Sequence, residues 1–313
     1  MATMKAVRIH EFGDVDVLKY EDIKQPEPQA GEVLVRVQAA GINPIDCLAR
    51  TMPIPGITAG HFPYILGLDI SGTVAALGEG VTQFAPGDEV YGLLPKGYSE
   101  YIAAPITYLA LKPQRLTHQE AAGLPLAGLT AWQALFDTAH LQAGQTVFIS
   151  GGAGGVGHYA IQLAKWKGAQ VVTTTSTRNV EFVRELGADV IIDYTQQTFI
   201  ESIKDVDVVL DTLGGDVLKD SFQVVKRGGS IVSLRGHHGV KALGDQLAPQ
   251  YGVAFAVIVA HPSGEQMAEM AKLANVGQLK THLDTVFPLK DVAQAHKLSE
   301  GGHVRGKLVL TLE

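Results

Sequence analysis

Cysteine is almost missing from this sequence, with Cys47 the only one among 313 residues. One thiol closes no internal disulfide and cannot build a four-cysteine zinc site, so a reducing, cytoplasmic setting is expected. Long apolar runs are missing too. The longest near the end, 253–260, falls far short of the roughly 20 residues that cross a bilayer, and no membrane partner is expected. The opening residues mix charges with single apolar side chains and lack the apolar core of a signal peptide, so secretion is not expected. Blocks of like charge are absent as well: 25 basic and 32 acidic residues are dispersed along the chain, and nothing marks a nucleic-acid surface. What is abundant is glycine, with 35 copies, in a chain that is 46% hydrophobic, a composition of α/β enzymes with many tight turns.

The length suits two domains of roughly 100 to 200 residues each. From Met4 to about Tyr108, short apolar runs are broken by Gly, Pro and Asp, as in Val33–Val37, Ile70–Leu77 and Asp88–Leu94. That spacing predicts a small, bent β-barrel. In Val33–Val37 the three valines fall on one face, with Leu34 and Arg36 on the other. After about Pro125 the rhythm becomes strand then helix. Strands are predicted at Thr146–Ser150, Gln170–Thr174, Val190–Ile192, Val206–Leu210, Ser230–Leu234 and Val253–Val259, with helices after Val156, at Val180–Leu186 and around Val217–Val225. Alternating βα units imply a doubly wound parallel sheet. Past His261 come a helix, Glu265–Val276, and a terminal strand, Lys307–Leu312. This tail is too short to fold alone and should dock on the first region. The expected division is 1–124 with 262–313 as one domain and 125–261 as the other.

Ser150–Gly157 reads SGGAGGVG and holds a GxGxxG at Gly152, Gly154 and Gly157, between a predicted strand and helix. In such a motif one glycine permits a tight turn, one lets the backbone approach a pyrophosphate, and one brings helix close to strand. The helix N-terminus adds N–H donors and its dipole. A dinucleotide site is expected here, with Gly155 and Val156 in the same turn.

With that strand, turn and helix in place, GLTAWQAL (Gly128–Leu135), SGGAGGVG and IQLAKWKGAQVV (Ile161–Val172) resemble the medium-chain dehydrogenase/reductase superfamily. AAGINPIDCLAR (Ala39–Arg50), LGLDISGTVAALGEGV (Leu66–Val81) and PGDEVYG (Pro86–Gly92) resemble its zinc-free branch, the zeta-crystallin-like quinone oxidoreductases. The likeness runs from about Lys5 to Leu310. It implies a Rossmann doubly wound sheet inserted in a GroES-like β-barrel catalytic domain. It also implies hydride transfer from NADPH to a quinone or α,β-unsaturated carbonyl, and a homodimer paired through the last Rossmann strand, Tyr251–Val259.

Zinc alcohol dehydrogenases of the superfamily carry a cysteine in the segment matching Gly41–Asp46 and a His-Glu pair where this chain has Leu68-Asp69. Here the cysteine position falls on Asn43 or Pro44, Cys47 is displaced by several residues, and no histidine follows Gly67. A catalytic zinc needs three protein ligands, so none is expected. His61, His237 and His238 are the nearest other candidates and read as ordinary loop histidines. Without a Lewis acid the acceptor must already be electrophilic, and the protein supplies orientation, a dry pocket and a donor to the developing oxyanion. The resemblance puts Asn43 beside the nicotinamide end, although it also suits the Gly-Ile-Asn-Pro turn. Asp46 is a second candidate, as a proton relay, although a helix-start carboxylate is the commoner role, and Tyr64 is an alternative donor.

Cofactor choice rests on the end of the second Rossmann strand. NAD-specific sites place an acid about 20 residues beyond the glycines. Val171–Asn179 contains none: Thr174 or Thr175 occupies that place, followed by Ser176 and Arg178, which suit a 2′-phosphate. Tyr194 matches a family tyrosine packed near that phosphate, and Thr130, Leu213, Arg235 and Arg305 complete the expected cofactor contacts. Two other functions remain open: reduction of an enoyl thioester, and a cofactor-binding protein with little catalysis that serves as a crystallin or binds RNA.

Overall fold

The computed structural model describes residues 2–55, 58, 61–236 and 238–312, with His238 by its backbone only. The chain divides into two compact units, Met1–Leu129 with His261–Glu313, and Thr130–Ala260. The boundaries thus fall at 129/130 and 260/261. In chain order the first unit holds β1 (Thr3–Ile9), β2 (Lys19–Lys24), β3 (Glu32–Ile42), α1 (Pro44–Thr51), β4 (Tyr64–Ile65), β5 (Asp69–Leu77), β6 (Glu89–Leu93), β7 (Tyr101–Pro105), β8 (Leu109–Leu111) and α2 (His118–Ala122), and α3 (Pro125–Trp132) leads out of it. The second unit holds β9 (Thr146–Ile149), α4 (Gly157–Trp166), β10 (Gln170–Thr175), α5 (Val180–Glu185), β11 (Val190–Asp193), β12 (Val206–Asp211), α6 (Gly215–Ser221), β13 (Val225–Ser233), α7 (His238–Tyr251) and β14 (Ala254–Val257). The chain then returns with α8 (Gly264–Asn275), β15 (Leu283–Pro288), α9 (Val292–Glu300) and β16 (Lys307–Thr311). No helix among the described residues is long and apolar enough to cross a membrane.

The first unit is organised around β3, an eleven-residue strand that pairs with β5, β7 and β16. Val33, Val35 and Val37 point into a core shared with Val7, Ile9, Ile70, Val74, Leu308 and Leu310, while Arg36 is exposed. Leu34 departs from the simple alternation, being only 6% exposed. Its pairing with β5 shifts between Leu34 and Val35 and again between Val37 and Ala39. Such shifts bend a strand and let both faces of it be covered. The tail docks as its length demands, with Leu308–Thr311 pairing antiparallel to Ala39–Ile42.

In the second unit six strands, all parallel, stand in the order β11-β10-β9-β12-β13-β14. By sequence this is third, second, first, fourth, fifth, sixth, the doubly wound order. The switch point lies where β10 and β12 flank β9, and the crevice beyond the strand ends there is where such sheets bind ligands. Val147, Phe148 and Ile149 of β9 are fully buried, which explains their unbroken apolar run.

Four elements differ from the sequence expectation, the first being α6, which ends at Ser221 so that Val225, expected in this helix, opens β13. β13 begins at Val225, five residues before Ser230, and its pairing with β12 shifts between Val206 and Val208. β14 has four residues and its predicted start, Tyr251, closes helix α7. α7 itself was hidden by Gly239, Gly244 and Pro249. Its anchors Val240, Leu243, Leu247 and Ala248 nevertheless recur at helical spacing in the second core. A Cβ at Gly244 would lie 2.0 Å from the Phe255 ring, so the glycine permits that approach.

Candidate functional site

Gly151 follows β9 with φ +68°, a left-handed turn that glycine adopts freely. Its N–H donates to Thr174 Oγ1 at 3.1 Å, and Gly152 N–H to Thr174 O at 3.0 Å, which pins the turn to the end of β10. A Cβ at Gly152 would sit 2.2 Å from Thr173 Oγ1, and one at Gly157 would sit 2.3 Å from Gly151 O. Those two glycines therefore let helix and strand close up. Gly154 differs: the nearest atom to a Cβ there is 3.3 Å away, on the turn itself. Gly154, Gly155 and Val156 are half-buried backbone at the start of the ten-residue helix α4, which no side chain caps. Uncapped N–H groups and the helix dipole at such a point suit a pyrophosphate. The cradle fits a dinucleotide, with the tight turn at Gly151 rather than at a glycine of the motif.

Asp211, fully buried at the end of β12, was not singled out from the sequence. Its Oδ1 accepts from Leu213 N at 3.1 Å and Gly214 N at 2.9 Å, and its Oδ2 from Ser233 Oγ at 2.6 Å. Thr212 exchanges hydrogen bonds with Ser150 through its N–H at 2.9 Å and its hydroxyl at 2.7 Å. The ends of β9, β12 and β13 are thereby tied together. Leu213 projects from this knot 46% exposed, and Arg235 Nε donates to Thr212 O at 3.0 Å. A buried acid ending an apolar strand was the available signal.

At the end of β10, Thr174 and Thr175 are buried, Ser176 is half-buried and Arg178 exposed. Tyr194, just past β11, is 60% exposed, and its N–H donates to Thr175 O at 3.0 Å. The structure thus gathers Ser176, Arg178 and Tyr194 at neighbouring strand ends. It also brings Asp193 there, at the end of β11, where a search of the second strand alone finds no acid.

In the first unit Asn43 precedes α1, and Pro44 takes the first helical position, where its missing N–H costs nothing. Asp46 Oδ2 accepts from Asn43 N at 2.9 Å, the helix-start role, and from Tyr98 OH at 3.2 Å. Asn43 is 4% exposed and its amide is held at both ends. Nδ2 donates to Asp69 Oδ2 at 2.9 Å, while Lys307 Nζ donates to Oδ1 at 2.5 Å and to Ile42 O at 3.1 Å. Asp69 Oδ1 accepts from Leu126 N at 2.8 Å, and Lys307 Nζ lies 3.6 Å from Asp69 Oδ2. Burial pushes the Asp69 carboxyl up and the Lys307 ammonium down, each opposed by the other's charge. Burial also lifts Asp46 to about 7, with the charge of Asp69 adding to it.

Beyond Tyr98 the polar chain continues. Tyr98 OH is 3.3 Å from His296 Nε2, His296 Nδ1 is 3.2 Å from Arg50 Nη1, and Arg50 Nη2 donates to Glu300 at 2.6 Å. Burial, helped by the Arg50 charge, drives His296 down to about 3 and keeps it neutral. Lys307, Tyr98, Arg50 and His296 were missed by the sequence reading, because nothing local marks residues that meet across 52 to 265 positions.

Thr130 is half-buried on α3 at the start of the second unit. Arg305 belongs to the first unit, half-buried ahead of β16, with its N–H donating to Asp284 Oδ2 at 3.0 Å. Tyr64 is half-buried on the two-residue strand β4, and burial raises its phenol. Cys47 is buried against His296 O, its thiol pushed up to about 12 by burial and the neighbouring Asp46. His61 is exposed, His237 lies outside the described residues, and the His238 side chain is not described. Among the described residues no group of three His, Cys, Asp or Glu could hold a metal ion.

The description "Alcohol dehydrogenase GroES-like domain" matches residues 29–114, and "Zinc-binding dehydrogenase" matches residues 186–310. An Arabidopsis thaliana protein named NADPH-dependent alkenal/one oxidoreductase, chloroplastic, is 36% identical over 98% of this chain and 79% of its own length. A mouse quinone oxidoreductase is 30% identical over 99% of this chain and 98% of its own. The structure of the quinone oxidoreductase from Coxiella burnetii superposes with a TM-score of 0.92 at 37% identity, covering all of both chains. With the doubly wound sheet and the glycine cradle in place, these likenesses show that the chain belongs to the medium-chain dehydrogenase/reductase family, in its quinone oxidoreductase group.

Proposed function

We propose that this protein uses NADPH to reduce quinones and α,β-unsaturated carbonyl compounds, and does so without zinc. The observation that carries the reading is the buried contact of Asn43, Asp69 and Lys307. By resemblance, the zinc enzymes place a cysteine ligand where Asn43 or Pro44 stands and a His-Glu pair where Leu68-Asp69 stands. Here an amide, an apolar side chain and a carboxylate already bonded to an ammonium occupy those places. Such a set offers one carboxylate, already paired with an ammonium, where a catalytic zinc needs three ligands of Cys, His or carboxylate type.

The bound nicotinamide supplies a hydride. The residues of the chain do the rest. Gly154, Gly155, Val156 and the α4 N-terminus hold the pyrophosphate, and Ser176, Arg178 and Tyr194 the 2′-phosphate. Thr130, Leu213, Arg235 and Arg305 complete the cofactor contacts. Asn43 positions nicotinamide or acceptor through its amide, whose orientation Lys307 and Asp69 fix. Asp46 holds the Asn43 backbone in turn. For an enone, hydride enters the β-carbon and the π electrons move to the carbonyl oxygen as an enolate; the carbonyl then reforms as the α-carbon takes a proton from solvent. The name of the Arabidopsis relative, NADPH-dependent alkenal/one oxidoreductase, agrees with this chemistry.

We further propose a homodimer paired through β14, which is an edge strand of the six-stranded sheet. Phe255 and Val257 are half-buried on it and Val259 beyond it is 84% exposed, so the edge is apolar and open to a second copy. The lone thiol, buried at Cys47, fits a reducing compartment such as the cytoplasm.

The test is NADPH oxidation by purified protein, before and after exhaustive chelation, with quinones, enones and enoyl thioesters as separate acceptors. Turnover of quinones and enones that survives chelation is expected. Turnover confined to thioesters would move the substrate class, loss on chelation would overturn the metal-free mechanism, and no turnover would favour a binding role.

A further inference from the structure

Asp193 stands among the groups assigned to the 2′ end of the adenosine. β10 and β11 run parallel with Thr175 opposite Asp193, so the two strands end at one level. Asp193 Oδ2 accepts from Thr177 Oγ1 at 2.5 Å, and Thr177 lies between Ser176 and Arg178. Asp193 Oδ1 accepts from Thr195 N at 3.0 Å and Thr195 Oγ1 at 2.7 Å, and Tyr194 lies between Asp193 and Thr195. Each of the three groups proposed to hold the phosphate is therefore adjacent in sequence to Asp193 or to a residue bonded to it.

These donors are hydroxyls and a backbone amide, with Thr177 the strongest, and they hold the Asp193 carboxyl below its ordinary range. Neutral donors stabilise a negative charge without cancelling it. A phosphate monoester carries roughly −1.5 to −2 charges at neutral pH, so a carboxylate beside it is repulsive. A ribose 2′-hydroxyl is uncharged and can donate to a carboxylate. The same residue thus disfavours one cofactor and tolerates the other, while it ties together the turns that carry Ser176, Arg178 and Tyr194.

We propose that Asp193 is a specificity-determining residue that restrains the preference for NADPH over NADH. This rests on the reading above that the end of β10 receives the 2′-phosphate. Arg178 and Ser176 attract the phosphate, Asp193 repels it, and the cofactor ratio reflects the difference.

The test is the affinity of the parent, Asp193→Asn and Asp193→Ser for NADPH and for NADH, read by fluorescence titration without acceptor and expected to shift as the kinetic ratio does, together with steady-state kinetics with both cofactors, at low and high salt, using one acceptor. Both substitutions remove the charge, and each keeps a polar group for the threonines. The ratio of kcat/KM for NADPH to that for NADH is expected to rise about five- to tenfold in each variant, mainly through a lower KM for NADPH, and the rise should shrink in high salt. Glu185→Gln, which removes an exposed acid on α5, should leave the ratio unchanged. An unchanged ratio in both Asp193 variants, or equal increases in KM for both cofactors, would overturn the proposal and leave Asp193 as a structural tie. A parent that prefers NADH, with the ratio still rising in the variants, would refute the NADPH reading while supporting this role.

Discussion

Replacing Lys307 with methionine tests the buried cluster at its most exposed point of logic, the charge. Lys307 is 3% exposed and Asp69 is fully buried. The substitution keeps most of the apolar stem and removes the ammonium. Asp69 Oδ2 then loses its ion pair at 3.6 Å, and Asn43 Oδ1 loses its donor at 2.5 Å. The carboxylate retains only Leu126 N and Asn43 Nδ2 among the bonds described above. Breaking a buried ion pair by removing one partner costs about 3 to 5 kcal/mol, because a charge is left uncompensated. Burial already raises the Asp69 carboxyl, and without Lys307 it rises further. The orphaned carboxylate is therefore relieved by protonation as the pH falls, so the loss should be largest at pH 8 and clearly smaller at pH 5. Urea unfolding at both pH values reads this directly, and Asp69→Asn with the double variant closes a cycle whose coupling should be of the same order. A loss below about 1 kcal/mol at both pH values, or a coupling near zero, would refute the reasoning.

Arg178→Ala should weaken NADPH by about 1 to 3 kcal/mol in kcat/KM, the range for a charge-assisted contact, and leave NADH nearly unchanged; equal losses with both cofactors would refute a phosphate contact. The Asp46 carboxyl, raised from 3.8 to about 7 mainly by burial, contributes stability that is fully present below pH 4 and is lost as pH rises through 7. Asp46→Asn should flatten that limb of the stability profile, and an unchanged profile would contradict it. His296, lowered from 6.5 to about 3 mainly by burial, works in the opposite sense: its contribution is present above pH 6.5 and lost as pH falls toward 3, so His296→Gln should flatten the acid limb instead. Light scattering at micromolar concentration should return the mass of two chains, and a monomeric mass would rule out pairing through β14.

Local signals carried much of the fold. The βα alternation after Pro125 placed all six parallel strands, because a buried parallel strand needs an apolar run and its crossover helix an apolar stripe. The 14-residue helix α7 carries Gly244 and Pro249, residues of low helix propensity, and close contact with Phe255 makes that glycine necessary. The site was legible only where its chemistry is contiguous. Gly152, Gly154 and Gly157 point to a nucleotide turn because their spacing falls between an apolar strand and a helix, although the left-handed residue is Gly151. Asn43 and Asp46 were visible, but their partners Asp69, Tyr98 and Lys307 come from β5, the segment before β7, and β16. Asp193 was read past for a related reason: the usual acid is sought at the end of β10, while parallel pairing brings the end of β11 to the same place.

The central claim is that hydride goes from NADPH to the electrophilic carbon of a conjugated acceptor, without a metal. The measurement that meets it most directly uses NADPH deuterated at the transferable position of the nicotinamide, a simple enone, and chelated protein, with the product analysed by mass spectrometry and NMR. The result expected is a saturated ketone carrying one deuterium at the β-carbon. Deuterium on the carbonyl carbon of an alcohol, or transfer that appears only when zinc is restored, would contradict the account.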